Sequence, residues 1–147
     1  MYSKVEAIQV KKDFWTSFAA EYPRKWLLYN TKIKDFSFKF NADNKKAIVS
    51  LDIESKNNEH RIIYYQKIES LQTILKVEYL PNVLFNPNFQ LDTGKIISRV
   101  WVELEGVSIN NKSTWPIIFE FFSMNMELFE LFFFEYEDYI KDLQTNT

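Results

Sequence analysis

The 147-residue sequence contains no cysteine, one histidine, two glycines and four prolines. Without cysteine there is neither a disulfide framework nor thiolate chemistry, and one histidine excludes a histidine-rich metal site. A phosphate-binding loop, a dinucleotide fingerprint and a nucleophile triad are also missing from the sequence, so we expect no metal and no cofactor. The scarcity of glycine and proline favours long regular elements joined by short turns.

Long apolar runs are missing as well, and the first six residues lack the apolar core of a signal peptide. We therefore expect a cytoplasmic protein without membrane contact. Aromatic residues are abundant, at 18% of the sequence, and apolar residues make up 46%. This composition is typical of a folded globule rather than a disordered chain, and the length suits a single domain over residues 1–147.

The net charge of −2 is unevenly distributed along the chain. The first 76 residues hold 14 Lys and Arg against 9 Asp and Glu, whereas the remainder holds 4 against 11. This division could form a basic face for an anionic partner. Alternatively, the two halves intermix in the fold and their charges are simply solvated.

The last third of the chain carries two apolar stripes with helical spacing. One consists of Phe122, Met126, Phe129, Phe133, Tyr136, Ile140 and Leu143, and the other of Ile117, Phe121, Met124, Leu128, Phe132 and Tyr139. Two stripes make this helix apolar over more than half of its circumference, which predicts burial on several sides. We expect the rest of the chain to pack against it.

The upstream sequence predicts an α+β fold. A capping box at Ser3 begins a helix that ends near Tyr22, and a second helix begins at Asn57 or Asn58. The predicted strands are 26–30, 34–40, 46–54, 82–91 and 96–104, of which the second and third alternate in polarity about a polar turn. The expected order is helix, three strands, helix, two strands and long C-terminal helix, with about five largely antiparallel strands.

Several segments resemble an uncharacterised bacterial family, a domain of unknown function of the DUF4268 type. They are Phe14-Trp15-Thr16-Ser17-Phe18, residues 41–47 (NADNKKA), Ile97-Ser98-Arg99, and Gly106-Val107-Ser108-Ile109 leading to Trp115-Pro116. The resemblance implies a stand-alone bacterial domain. Because similar domains also occur attached to nuclease-like segments, it favours a DNA-related role, but it implies no catalytic residues.

A metal-dependent nuclease is the enzymatic hypothesis. Helix, three strands, helix and strand is the core order of PD-(D/E)XK nucleases, and Asp35 and Glu54 lie at the ends of predicted strands. Two carboxylates could hold Mg²⁺ while Lys56 helps to activate water or stabilises phosphate charge. The alternative is that these residues are charges on the solvated side of a hairpin.

A ligand site is a second hypothesis, built on Arg99 and Trp101 with Trp115 nearby. An arginine beside indole rings could stack a base or clamp a carboxylate or phosphate. The alternative is that Trp101 packs beneath a helix while Arg99 pairs with Glu103.

Self-association through the final helix is the third hypothesis. Residues 132–134 are all Phe, and successive helical residues differ by about 100°, so one of the three should point away from the core. We predict a homodimer interface containing Phe129, Phe133 and Phe134. The favoured function is therefore a non-enzymatic interaction or accessory module, with the nuclease or a DNA-associated domain as the alternative.

Overall fold

The structure, a computed structural model, describes residues 3–143. It contains helix α1 (Lys4–Glu21), strands β1 (Phe36–Ala42) and β2 (Lys46–Ile53), helix α2 (Asn58–Ser70), strands β3 (Leu84–Gln90) and β4 (Ile96–Glu105), and the C-terminal helix (Trp115–Lys141). A helical turn (Gln72–Ile74) and a π-helical turn (Leu75–Tyr79) follow α2, and a 3₁₀ turn (Lys112–Thr114) precedes the C-terminal helix. None of the helices within residues 3–143 is long and apolar enough to cross a membrane.

The four strands form one antiparallel sheet in the order β1-β2-β4-β3. The β1–β2 hairpin turns through Asp43, whose carboxylate accepts hydrogen bonds from the backbone N–H groups of Lys45 and Lys46. Strand β3 lies at the edge, and its register shifts between Asn86 and Phe89, where Pro87 cannot donate a ladder hydrogen bond. The α+β class and the hairpin are confirmed.

The core lies between one face of the sheet and the helices. The alternating residues Phe36, Phe38, Val49, Leu51 and Val100 are buried there. They meet the first predicted stripe of the C-terminal helix, in which Phe129 and Phe133 contact Phe38 with ring centroids 5.5 and 5.8 Å apart. The rest of the chain therefore packs against the C-terminal helix as predicted, but on one face of that helix only.

Helix α1 begins at the predicted capping box. The Ser3 hydroxyl accepts a hydrogen bond from the Glu6 backbone N–H (3.2 Å) and donates one to the Glu6 carboxylate (3.1 Å). Farther along α1, Phe14 and Phe18 are buried against Phe119 of the C-terminal helix. Helix α1 therefore lies beside the first half of the C-terminal helix.

The predicted strand at residues 26–30 does not form, so the sheet has four strands and only two of them precede α2. The segment 26–35 instead makes turns, in which Leu28, Lys32 and Asp35 have positive φ. The buried Glu130 carboxylate anchors it, because that carboxylate accepts hydrogen bonds from the Arg24 guanidinium (2.5 Å) and the Leu27 backbone N–H (2.7 Å). This long-range contact with the C-terminal helix replaces a strand ladder.

Candidate functional site

The face of the sheet opposite the helices carries the predicted ligand residues Arg99 and Trp101, and we call it the polar face. Cross-strand pairing places Asp52 of β2 directly beside Arg99, and Ser50 beside Trp101. Residues that are directly opposite on neighbouring strands lie on the same side of the sheet. The polar face combines charged and aromatic side chains from all four strands: Lys39 of β1, Asp52 of β2, Phe89 of β3, and Arg99 and Trp101 of β4.

A buried ion pair lies at the centre of the polar face. Arg99 donates to both carboxylate oxygens of Asp52, from Nε at 2.8 Å and from Nη2 at 2.9 Å. The Asp52 side chain is 1% exposed and that of Arg99 is 9% exposed. The ring of Phe89 stacks over the guanidinium with its centroid 4.5 Å away. Arg99 therefore pairs with Asp52 rather than with Glu103.

A second set of ion pairs continues along the polar face from Asp52. The Lys39 ammonium lies 2.6 Å from the Glu54 carboxylate and 3.9 Å from that of Asp52, and Lys95 lies 3.6 Å from Glu54. Burial alone would raise the pKa of Glu54, but its hydrogen bond and attraction to Lys39 outweigh this and lower that pKa. Burial alone would lower the pKa of Lys39, but the same hydrogen bond and the attraction to Glu54 outweigh this and raise that pKa.

The two predicted tryptophans lie in different places. Trp101 is half-buried on the polar face, where its indole N–H donates to Glu103 (2.8 Å) and its ring contacts Phe89 edge-on. Trp115 instead belongs to the core, against Phe14, and its indole N–H donates to the carbonyl of Ile109. The structure thus brings together Arg99 and Trp101 and separates Trp115 from them.

The nuclease residues Asp35, Glu54 and Lys56 line one cleft of about 490 Å³, together with Lys34 and Lys95. The backbone N–H of Glu54 donates to the carbonyl of Asp35 at 2.7 Å, which holds the two residues together. The Glu54 carboxylate is already paired with lysines. Among the residues that the structure describes, no group of three or more His, Asp and Glu side chains is placed to hold a metal ion.

The outward face of the C-terminal helix carries an exposed apolar stripe. Ile117, Met124 and Leu131 are 56%, 55% and 53% exposed, and Phe121 and Leu128 between them are half-buried. We call these five residues the outer stripe. Ile117 and Met124 belong to the second predicted stripe, so the expected burial of that stripe is wrong at these two positions, although its member Phe132 is buried.

Of the three predicted interface residues, Phe129 and Phe133 lie in the core of their own chain, and Phe134 is 56% exposed. Phe132 is also buried, so one member of the Phe132–Phe134 run points outward, as helical geometry requires. Phe134 borders the outer stripe, one helical turn from Leu131.

The charges around the outer stripe are unequal at its two ends. Exposed acidic side chains flank it at Glu120, Glu127, Glu135 and Asp138. The Lys112 ammonium lies 5.6 Å from the ring centroid of Trp115, on the buried side of the helix start. The outer face of the helix is therefore apolar along its length, with most of its acidic side chains in the second half.

Sequence reasoning missed Asp52 and Phe89 as neighbours of Arg99. The pairing of β2 with β4, which are separated in the chain by α2 and β3, decides the contact with Asp52, and the pairing of β3 with β4 decides the contact with Phe89. Sequence reasoning placed the exposed patch around Phe134 and did not extend it to Ile117 and Met124. The spacing of four and three residues through Ile117, Phe121, Met124, Leu128 and Leu131 was the available signal.

Comparison with known proteins gives one match. A family model described as Domain of unknown function (DUF4268) matches residues 10–137, so the chain belongs to that family. No curated protein and no solved structure matches it.

Proposed function

We propose that this member of the DUF4268 family is a non-enzymatic interaction or accessory module of the cytoplasm that forms a homodimer through the outer stripe of its C-terminal helix. The observation that carries the proposal is the exposure of Ile117, Met124 and Leu131 on one side of a helix whose other side is fully buried.

The spacing of the outer stripe supports helix–helix contact. Intervals of four and three residues are those of the a and d positions of a coiled coil, which face a partner helix along a continuous seam. Single exposed apolar residues are ordinary on protein surfaces, but a contiguous apolar patch is typical of an interface. Phe134 at the border enlarges the patch.

The polar face supports a binding surface less well, because its charges are engaged within the chain. Asp52 and Arg99 neutralise each other, and Glu54 lies between Lys39 and Lys95. The outer stripe, by contrast, is apolar surface exposed to water, and its burial would stabilise a complex by about 25 cal/mol for each Å² removed from water.

The experiment measures solution mass by light scattering over a range of protein concentrations. The wild-type chain of 17.7 kDa should give twice that mass. Leu131→Glu places a charge at the interface and should weaken the dimer by about 30-fold or more, the effect of an interface hot spot. The matched control is Tyr29→Glu, because Tyr29 is more exposed than Leu131 and lies outside the C-terminal helix. A monomeric wild type would refute the proposal.

A second candidate is a Mg²⁺-dependent nuclease or DNA-associated domain. The observation that favours it is the shared cleft of Asp35, Glu54 and Lys56, with the exposed Lys34 beside them to contact a phosphate. Cleavage of DNA that requires Mg²⁺ and is lost in Glu54→Gln would establish it. Salt-sensitive DNA binding without cleavage would indicate a DNA-associated domain. If neither is found, the interaction module is retained.

A further inference from the structure

We infer that Arg61 holds a bulge in strand β3 and thereby keeps that edge of the sheet from pairing with a strand of another copy of this chain. The inference goes beyond the proposed function, because it concerns an edge of the sheet rather than the outer stripe. It applies whether the protein is a monomer or a dimer.

The bulge lies at the register shift of β3. Two residues of β3, Pro87 and Asn88, stand opposite one residue of β4, Ser98. One extra residue in one strand defines a β-bulge, which bends the strand and increases its twist. The backbone N–H of Asn88 donates to the side-chain oxygen of Asn86 at 2.9 Å, so the bulge has a hydrogen bond of its own.

Arg61 of helix α2 binds every residue of the bulge. Its Nη1 donates to the Ser98 hydroxyl (2.8 Å) and to the carbonyl of Pro87, and its Nη2 donates to the side-chain oxygen of Asn88 (3.2 Å). The Ser98 hydroxyl also donates to the Pro87 carbonyl at 2.8 Å. A guanidinium presents its N–H groups in a fixed planar fork, so three acceptors that are bound at once are fixed relative to one another. The helix therefore sets the geometry of both strands at the bulge.

The surroundings of Arg61 indicate that this geometry, rather than charge pairing, is its role. Arg61 is 4% exposed, yet it belongs to none of the ion pairs among residues 3–143, whereas Arg24 and Arg99 each bind a carboxylate. Its Nε is also buried without a hydrogen-bond partner in that part of the chain. A buried charge without a counter-ion is costly, and apolar side chains often replace buried charged groups without loss of stability. Fixation of the bulge explains why an arginine occupies this position.

Strand β3 is the edge of the sheet that is open to pairing. The other edge strand, β1, is covered, since the backbone N–H of Phe38 donates to the carbonyl of Leu28 at 3.0 Å. Within the described part of the chain no strand pairs with the outer side of β3, and its Leu84 is 43% exposed. An uncovered edge is a template for pairing with another chain, and proteins interrupt such edges with prolines and bulges. Pro87 and the bulge interrupt β3 at its middle.

The main test variant is Arg61→Met, which keeps a long apolar side chain and removes the fork. Hydrogen exchange is measured at the Asn88 amide, which is bonded within the bulge, and at the Phe129 amide in the C-terminal helix, which reports on global unfolding. We expect exchange to become about tenfold faster at Asn88 and no faster at Phe129, because hydrogen bonds to a charged group are strong. Light scattering should show species larger than the wild type, increasing with protein concentration.

Two further variants distinguish edge pairing from a general loss of structure. Asn88→Ala removes one acceptor of Arg61 at an exposed position, so it should accelerate exchange at position 88 to a smaller extent. Its matched control is Asn44→Ala in the exposed β1–β2 turn, which should change neither exchange at position 88 nor the mass. Asn88→Lys added to Arg61→Met places a charge on the open edge and should restore the wild-type mass.

Four results would overturn the inference. Equal acceleration at positions 88 and 129 would show that Arg61 supports the fold as a whole. Unchanged exchange at Asn88 would show that the bulge does not depend on Arg61. Faster exchange with the wild-type mass would show that the edge stays unpaired without it, and larger species that persist in the double variant would have their contacts away from β3. If Arg61→Met does not fold, Asn88→Ala decides: faster exchange at position 88 alone, with larger species, supports the inference, and the absence of either overturns it.

Discussion

The ion pair between Asp52 and Arg99 gives a quantitative prediction for the stability of the polar face. Replacement of Asp52 by Leu leaves the Arg99 guanidinium buried beneath Phe89 without its carboxylate. Removal of one partner of a buried ion pair costs about 3–5 kcal/mol, because an uncompensated charge remains in the interior. Total stabilities are about 5–15 kcal/mol, so Asp52→Leu should lose a large part of the free energy of unfolding.

The assay is urea unfolding followed by tryptophan fluorescence, with the free energy obtained from the midpoint at unchanged slope. In a chain of this length, the loss corresponds to a decrease in Tm of about 10–15 °C. The double variant Asp52→Leu with Arg99→Met is the informative control. Apolar residues of similar volume often replace a buried ion pair without loss, so the double variant should lie within about 1–2 kcal/mol of the wild type.

Two outcomes would contradict this reasoning. If Asp52→Leu alone changes the free energy of unfolding by less than about 1 kcal/mol, the guanidinium finds water or another partner and its burial is unimportant. If the double variant is as unstable as the single one, the loss comes from poor packing of leucine and methionine rather than from an unpaired charge. Either result would show that an unpaired charge at Arg99 does not determine the stability of the polar face.

Three further predictions concern the helices. Phe133→Glu should unfold the chain, because Phe133 is 1% exposed and packs against Phe36 and Phe38. Phe134→Glu should leave the chain folded and weaken the dimer, because Phe134 is exposed. Equal melting curves for the two variants by circular dichroism would contradict the faces assigned to these residues. Glu130→Gln should release the segment bound through Arg24, and hydrogen exchange at the Leu27 amide should become at least tenfold faster. Burial, followed by the adjacent Glu69, raises the pKa of Tyr65 to about 12, so its neutral form is favoured in the folded state and stability should fall between pH 10 and 12. Tyr65→Phe should reduce that loss in unfolding measurements, and an unchanged pH profile would refute the assignment.

Local sequence patterns predicted the elements that depend on local chemistry. The β1–β2 hairpin follows from period-two alternation on both sides of a polar turn, and Asn57 caps α2 through its side chain. The buried positions Tyr64 and Ile68 have the predicted helical spacing. In each case the pattern lies within one continuous stretch of the chain, so no distant contact was needed to specify the element.

Distant contacts decided where the predictions failed. Residues 26–30 have strand-like composition, yet Glu130 from the C-terminal helix binds their backbone and Leu28 takes a positive φ. In α1, Val5 and Ile8 share an apolar stripe with the half-buried Trp15 but are themselves exposed, because the core contacts begin at Val10. A helical period shows which residues share a face, but it does not show how much of that face another element covers.

The same limit applies to the candidate sites. Arg99 was predicted to bind a ligand together with Trp101, but its partner Asp52 comes from a strand that is not its neighbour in the chain. The outer stripe could be recognised as a stripe from its spacing, whereas only the packing of the other helices shows that it is uncovered. Whether an apolar face is exposed depends on how the elements pack together, which the local sequence does not show.

The uneven charge of the sequence acquires a physical role once the fold is known. One basic residue of the first half is neutralised by the second half, since Arg24 binds Glu130, whereas on the polar face Lys95 of the second half binds Glu54 of the first. The acidic excess of the second half instead lies on the C-terminal helix at Glu127, Glu135 and Asp138, beside exposed apolar side chains. Acidic residues at the border of an apolar interface disfavour partners of the same sign. In the proposed dimer both copies carry these acidic residues, so a higher salt concentration should screen their repulsion and strengthen self-association.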